Sequence, residues 1–207
     1  MILTGVKRPG PVGDARHALL LRRGRLLEVA TLGWNVVGVV VLALAAVAAR
    51  SIALAGFGLD SLIEIGASTV VLWELADTAA DRQRRALSLI GAAFIALAVY
   101  LAAQSTWTLV LGFRPHHSVA GIVWTALTAA AMFALAAGKA ETGRALDNSV
   151  LQTEGRVTTI DGVLALAVLG GLVLNAAFGW WWADPLAAYV LVYYAAREAK
   201  AIFTGTH

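Results

Sequence analysis

Residues 26–49 read LLEVATLGWNVVGVVVLALAAVAA, an apolar run in which Glu28 is the single charged side chain. A helix needs about 20 mostly apolar residues to cross a hydrocarbon core of about 30 Å, so this run predicts a transmembrane helix. The whole chain has the same character, because 59% of its 207 residues are hydrophobic and only 14% are charged. Soluble domains carry about 25% charged residues. We therefore predict an all-α protein embedded in a lipid bilayer.

Five more apolar stretches follow, and together they predict a bundle of six transmembrane helices. The predicted spans cover residues 26–49, 52–75, 86–112, 119–138, 149–178 and 180–196. Residues 26–203 are predicted as one membrane domain, after a basic cytoplasmic tail at residues 1–25 and with no soluble domain behind it. The Arg50–Ser51 connection is short enough to force the first two helices into an antiparallel hairpin. Asp184 and Pro185 predict the N-cap and first turn of the last helix.

The basic residues predict the orientation of these spans. With both termini on the cytoplasmic side of the plasma membrane, 14 of the 16 Lys and Arg side chains, Lys139 included, fall in cytoplasmic segments. Only Arg50 and Arg114 fall in outer loops. Because these charges lie at the ends of apolar runs, they are topology signals and do not predict nucleic-acid binding. The chain has no cysteine, which excludes disulfides and thiolate metal sites.

Acidic residues inside the predicted spans are the strongest functional signal. A carboxylate at membrane depth costs about 2.5–3.5 kcal/mol on insertion scales, and such residues usually mark ion or proton pathways. Asp60 and Glu64 lie four residues apart on one face of the second helix, and Asp161 lies at a similar depth in the fifth. Glu154 is on the same face as Asp161, two turns nearer the cytoplasm, and predicts an inner vestibule. The alternative for each acid is a protonated residue in helix packing, and for Glu154 an interface position.

These residues resemble the membrane domain of the cation diffusion facilitator family, whose members export divalent metals in exchange for protons. The run Asp60-Ser61-Leu62-Ile63-Glu64 looks like the family's second-helix Asp-x-x-x-Asp motif, with Glu in the second place. Asp161 is similar to the second ligand of the family's fifth helix, and Asp184-Pro185 to its Asp-Pro opening of helix six. The resemblance implies metal ligation by Asp60, Glu64 and Asp161, with Glu154 contributing, and a homodimer formed through the membrane.

The chain departs from the family pattern where the first fifth-helix ligand is expected. Val157 occupies that place, so Glu154 or Thr158 would have to supply the missing ligand. The resemblance favours Zn²⁺ or a neighbouring ion such as Mn²⁺, Fe²⁺ or Co²⁺, whereas an all-oxygen ligand set suits harder ions. The metal is expected as transported cargo, and no cofactor is expected.

The predicted function is divalent metal efflux by metal/proton antiport. Two or three carboxylates balance one divalent ion, and protons on the same groups neutralise the empty site, so the two ligands exclude each other. The alternatives are a proton-coupled exporter of organic cations, a non-transporting membrane scaffold or sensor, and a membrane enzyme. No His-Glu-x-x-His, nucleophile elbow or phosphate loop occurs, so an enzyme is not expected.

Overall fold

A computed structural model of the protein describes residues 11–74 and 80–204, and these ranges contain six α-helices. The helices are α1 (Pro11–Ala49), α2 (Ile52–Glu74), α3 (Ala80–Leu111), α4 (Val119–Leu146), α5 (Ser149–Phe178) and α6 (Ala183–Thr204). Part of the predicted basic tail, residues 1–10, lies outside the described residues. The rest of that tail, residues 11–25, forms the first part of α1.

Four helices contain segments that are long and apolar enough to cross a membrane. The segments are Ala15–Ala49, Gly91–Leu111, Val119–Leu146 and Glu154–Phe178. They confirm the prediction of an all-helical, multi-pass membrane protein. The two remaining helices, α2 and α6, have 23 and 22 residues and extend about 33–35 Å at 1.5 Å per residue. The six-span topology and the side on which the termini lie stay predictions.

The helices alternate in direction along the chain. Arg23, early in α1, forms an ion pair of 2.7 Å with Glu141, late in α4, so these two helices are antiparallel. Thr106, late in α3, lies 2.6 Å from the hydroxyl of Tyr189, early in α6. We call the end at which α1, α3 and α5 begin the lower end, and the end at which α2, α4 and α6 begin the upper end.

Short connections close the helix hairpins, as predicted for Arg50 and Ser51. Arg50 adopts the left-handed conformation with φ 51°, and the Ser51 amide donates to the Ala46 carbonyl at 3.2 Å. The α4–α5 connection also contains a left-handed residue, because Asp147 has φ 51°. The next residue, Asn148, caps α5, and its Oδ1 atom accepts a hydrogen bond of 2.9 Å from the Leu151 amide. Each turn therefore sends the chain directly back alongside the helix that it has just left.

Asp184 does not cap its own helix, and that prediction is wrong. It lies inside the first turn of α6 and points its carboxylate at the start of α2. There Oδ2 accepts from the amides of Ile52 at 3.0 Å and Ala53 at 3.3 Å, while Oδ1 accepts from the Ser51 hydroxyl. A helix N-terminus has unpaired amides and a partial positive charge, so a carboxylate from a neighbouring helix satisfies it as well as a local cap does. Asp184 thus joins α6 to α2 at the upper end.

Helix α2 is the centre of the bundle, because it packs against α1, α3, α5 and α6. The buried side chains change character along it. Leu54 and Phe57 join an apolar core in the upper half, whereas Asp60 and Glu64 are buried below them. Helix α1 changes in the same direction, because Leu42 and Ala45 join the apolar core whereas Asn35 and Glu28 are buried nearer the lower end. The upper core of the partner helices includes Leu42, Leu101, Val168, Leu172 and Leu191.

Four helices, α1, α3, α4 and α6, extend beyond their predicted spans, and in α4 this changes the place of one residue. The fourth span was predicted to end at Gly138, but α4 continues to Leu146. Lys139 therefore lies within α4, where its side chain is completely buried, and its prediction as a cytoplasmic topology signal is wrong. The side chains of three other predicted cytoplasmic signals lie outside the described residues: Arg82, Arg84 and Arg85.

Candidate functional site

Two carboxylates of α2 face the interior of the bundle. Asp60 is 6% exposed and Glu64 is 9% exposed, so neither side chain faces lipid. Their spacing of four residues puts them one above the other on a single helix face, as the sequence predicted. Two such groups cannot both carry an uncompensated charge at this depth without a large desolvation cost.

The structure brings Asp161 of α5 to this pair. Asp161 is 7% exposed, and its carboxyl group lies close enough to that of Glu64 for the two to interact. Two buried carboxyl groups at close range need a proton or a cation to offset their repulsion. Asp60 also lies close enough to Asp161 to repel it electrostatically, and Glu198 of α6 repels Asp60 in the same way. Residues from the second and fifth helices therefore meet in the interior, where the sequence predicted them.

One oxygen of this cluster has no partner. The Oδ2 atom of Asp161 is buried and makes no hydrogen bond to any residue that the structure describes. A buried carboxylate oxygen without a partner costs about 1–3 kcal/mol or more, so such atoms usually hold a proton, a water or an ion. This feature distinguishes the cluster from an ordinary packing contact and makes it the candidate site.

Asn35 of α1 completes the surroundings of Glu64. Its Nδ2 atom donates a hydrogen bond of 3.2 Å to Glu64 Oε2, and the Asn35 side chain is buried. The structure shows a direct contact with a site carboxylate, which fixes the orientation of the Glu64 side chain.

The three carboxylates do not form a ready-made metal cage. Within residues 11–74 and 80–204, no group of three or more His, Cys, Asp or Glu side chains has an arrangement that could hold a metal ion. Val157, at the place of the expected fourth ligand, is half-buried on α5. The acids contact each other in pairs, and an ion bridging all three would need a rearrangement of their side chains.

A second polar cluster lies beside the first, and it contains a buried lysine. Lys139 is 0% exposed, and its Nζ atom lies 3.1 Å from Glu28 Oε2, 3.3 Å from Glu154 Oε2 and 3.1 Å from the hydroxyl of Thr158. Glu154 and Thr158, the two candidates to replace the ligand missing at Val157, are thus both occupied by Lys139. Glu154 alone in this cluster has access to solvent, with 13% of its side chain exposed.

Sequence reasoning missed the pairing of Glu28 with Lys139. Both residues stand near an end of an apolar run, which is where charged residues mark the membrane interface. The available signal was Glu28 itself, an acid inside an otherwise uncharged run that needs a partner from another helix. Electrostatic interactions also link Glu64 to Glu154 and Lys139, so the two clusters are neighbours.

No protein-family model matches the chain, and no curated protein is significantly similar to it. The resemblance to cation diffusion facilitators therefore stays a prediction.

Proposed function

We propose that the protein is a multi-pass transporter of the cell membrane that moves a divalent metal cation in exchange for protons at Asp60, Glu64 and Asp161. The unpartnered Asp161 Oδ2 atom beside two other buried acids is the observation that carries the proposal. A soluble protein could leave such acids to water, but the core of a helical membrane bundle has to neutralise them with a proton or a cation.

The charge of the cluster supports exchange in preference to permanent binding of either ligand. Three carboxylates that share protons are close to neutral, and so are the same groups with fewer protons and one divalent ion. Because both ligands use the same oxygen atoms, binding of the cation releases protons. Glu154, a partly exposed acid that interacts electrostatically with Glu64 and Asp161, is the entrance residue in this scheme.

The test is proton flux from purified protein in liposomes, driven in turn by gradients of Zn²⁺, Mn²⁺, Fe²⁺, Co²⁺, Cd²⁺ and Mg²⁺. We expect at least one metal to drive proton movement, and we expect Asp161→Asn to abolish it because the amide can neither bind the cation as a charged ligand nor exchange a proton. The control is Asp147→Asn, the same change at an exposed residue of the α4–α5 connection.

Three results would contradict the proposal. Undiminished flux in the folded Asp161→Asn variant would show that this carboxylate is not the exchange site. Flux driven by lipophilic organic cations and by none of the metals would establish the organic-cation exporter instead. No flux with any cation would favour a membrane scaffold or sensor.

A further inference from the structure

The proposed exchange uses Glu154 as an entrance but gives no role to Lys139, the buried lysine that Glu154 contacts. The side chain of Lys139 leaves α4 and ends between α1 and α5. The ammonium group has three N–H donors, and three oxygen atoms within 3.3 Å surround it: one from Glu28, one from Glu154 and one from Thr158. Two helices, α1 and α5, thus supply the oxygen atoms that surround a single positive charge carried by a third helix, α4.

The charges in this cluster do not balance. Two carboxylates face one ammonium, and the Oε1 atom of Glu28 is buried without a partner among the described residues. A divalent cation in the same place would neutralise both carboxylates, and carboxylate and hydroxyl oxygens are the ligands that hard divalent cations prefer. A divalent ion would therefore give this oxygen set the charge balance that the single ammonium does not give.

A lysine is well suited to occupy such a site without closing it permanently. Its charge sits at the end of a flexible four-carbon stem, so the ammonium can leave the oxygen atoms while α4 stays in place. Without any cation, Glu28 and Glu154 would be two buried like charges, and leaving such charges uncompensated costs several kcal/mol. The partly exposed Glu154 gives a free ion a way to reach the oxygen atoms.

We propose that Glu28, Glu154 and Thr158 form a second site for a divalent cation, and that the ammonium of Lys139 is a tethered cation that holds this site until a free ion replaces it. The site goes beyond the exchange proposed at Asp161 and does not depend on it. While the ammonium of Lys139 contacts these oxygen atoms, a metal ion that arrives past Glu154 cannot bind to them.

Counting bound Mn²⁺ tests the proposal directly. Free Mn²⁺ gives a six-line electron paramagnetic resonance signal that disappears on binding, so titration of purified protein in detergent yields the number of sites. We expect Lys139→Gln to bind one more Mn²⁺ per chain than the wild type at low Mn²⁺ concentrations, at which the ion does not yet displace the ammonium of Lys139, because the oxygen atoms of the variant are then without their tethered cation. The double variant with Glu28→Gln should lose this additional ion.

Two comparisons separate this proposal from the first one. The double variant of Lys139→Gln with Asp161→Asn should keep the additional Mn²⁺ even when it has lost transport. A wild type that binds no Mn²⁺ would count against a metal site at Asp161, but a gain of one ion in Lys139→Gln would still support the second site. Equal counts in folded Lys139→Gln and wild type at every Mn²⁺ concentration, low ones included, would overturn it.

Chemical labelling of the wild type decides the question if Lys139→Gln does not fold. The chain has two other lysines, and Lys200 is exposed on α6, so an amine-reactive reagent and mass spectrometry compare Lys139 with an internal standard. Saturating Mn²⁺ should raise the labelling rate of Lys139 about fivefold or more, a factor typical of coupling between two binding events, and leave Lys200 unchanged. In Glu28→Gln the effect should vanish. Labelling of Lys139 that is indifferent to Mn²⁺ would overturn the proposal.

Discussion

Asn35 shows how a single neutral side chain prepares the acidic site. Its hydrogen bond of 3.2 Å reaches Glu64 Oε2 from α1, a helix that contributes no carboxylate to the Asp60–Glu64–Asp161 cluster. A side chain that only orients a metal-binding group changes the affinity for the ion more than it changes the chemistry of that group. The contribution of Asn35 should therefore appear in the affinity for the cation.

Replacement of Asn35 by Ala should weaken the cation without stopping transport. A hydrogen bond of this kind contributes about 1 kcal/mol, so we expect the apparent KM for the cation to rise about fivefold with little change in the maximal rate. The measurement is metal-driven proton flux as a function of metal concentration. The control is Asn175→Ala, which removes another buried amide bond, 3.1 Å to the Pro115 carbonyl near the upper end. A similar rise in KM in both variants would mean that Asn35 acts only through stability.

At the scale of helices, the contact between α5 and α6 depends on one glycine and not on its neighbour. A β-carbon on Gly171 would lie 2.9 Å from the carbonyl oxygen of Ala183 and 2.9 Å from the β-carbon of Ala187. A β-carbon on Gly170 would meet nothing within 4 Å. The backbone of α6 begins at Ala183 and cannot yield as a flexible side chain would.

We expect the substitution of alanine to have opposite effects on stability at Gly170 and Gly171. Gly171→Ala should destabilise the protein by about 1–3 kcal/mol through overpacking. Gly170→Ala should be neutral or stabilise by up to about 1 kcal/mol, because alanine favours a helix over glycine. Thermal unfolding in detergent, followed by the fluorescence of the seven tryptophans, measures both. Equal melting temperatures for the two variants would show that α5 and α6 are farther apart than described.

The hydrogen bonds of Asp184 are a second contact between helices, and they join α6 to α2. Asp184→Ala removes acceptors for two amides and one hydroxyl, so we expect a loss of about 2–3 kcal/mol in stability. Ser118→Ala removes a single local cap, the 3.0 Å bond to the Gly121 amide, and should cost about 1 kcal/mol. Unfolding in detergent compares the two. A smaller loss in Asp184→Ala than in Ser118→Ala would contradict the role of this carboxylate.

Over the whole molecule, the parts of the site that follow from helix periodicity could be predicted from the sequence. Asp60 and Glu64 share a face because they are four residues apart, and Asp161 meets them because depth in a bilayer can be counted in residues. The partners of Lys139 and Asp184 could not be predicted in this way. Each lies at the end of an apolar run, where a charged side chain can face either water or a neighbouring helix. For Lys139 the packing of three helices determines which of these occurs, and for Asp184 the packing of two helix ends does.

The orientation of the bundle is a property of the whole molecule, and the absence of cysteine makes it directly measurable. His117 lies between α3 and α4 at the upper end, and Ala145 lies near the end of α4 at the lower end; both are exposed. With the lower end in the cytoplasm, a membrane-impermeant maleimide should label His117→Cys in intact cells and Ala145→Cys only after permeabilisation. Labelling of both residues in intact cells would rule out this topology. The reverse pattern would place Glu154 outside, and uptake would then replace efflux as the direction of transport.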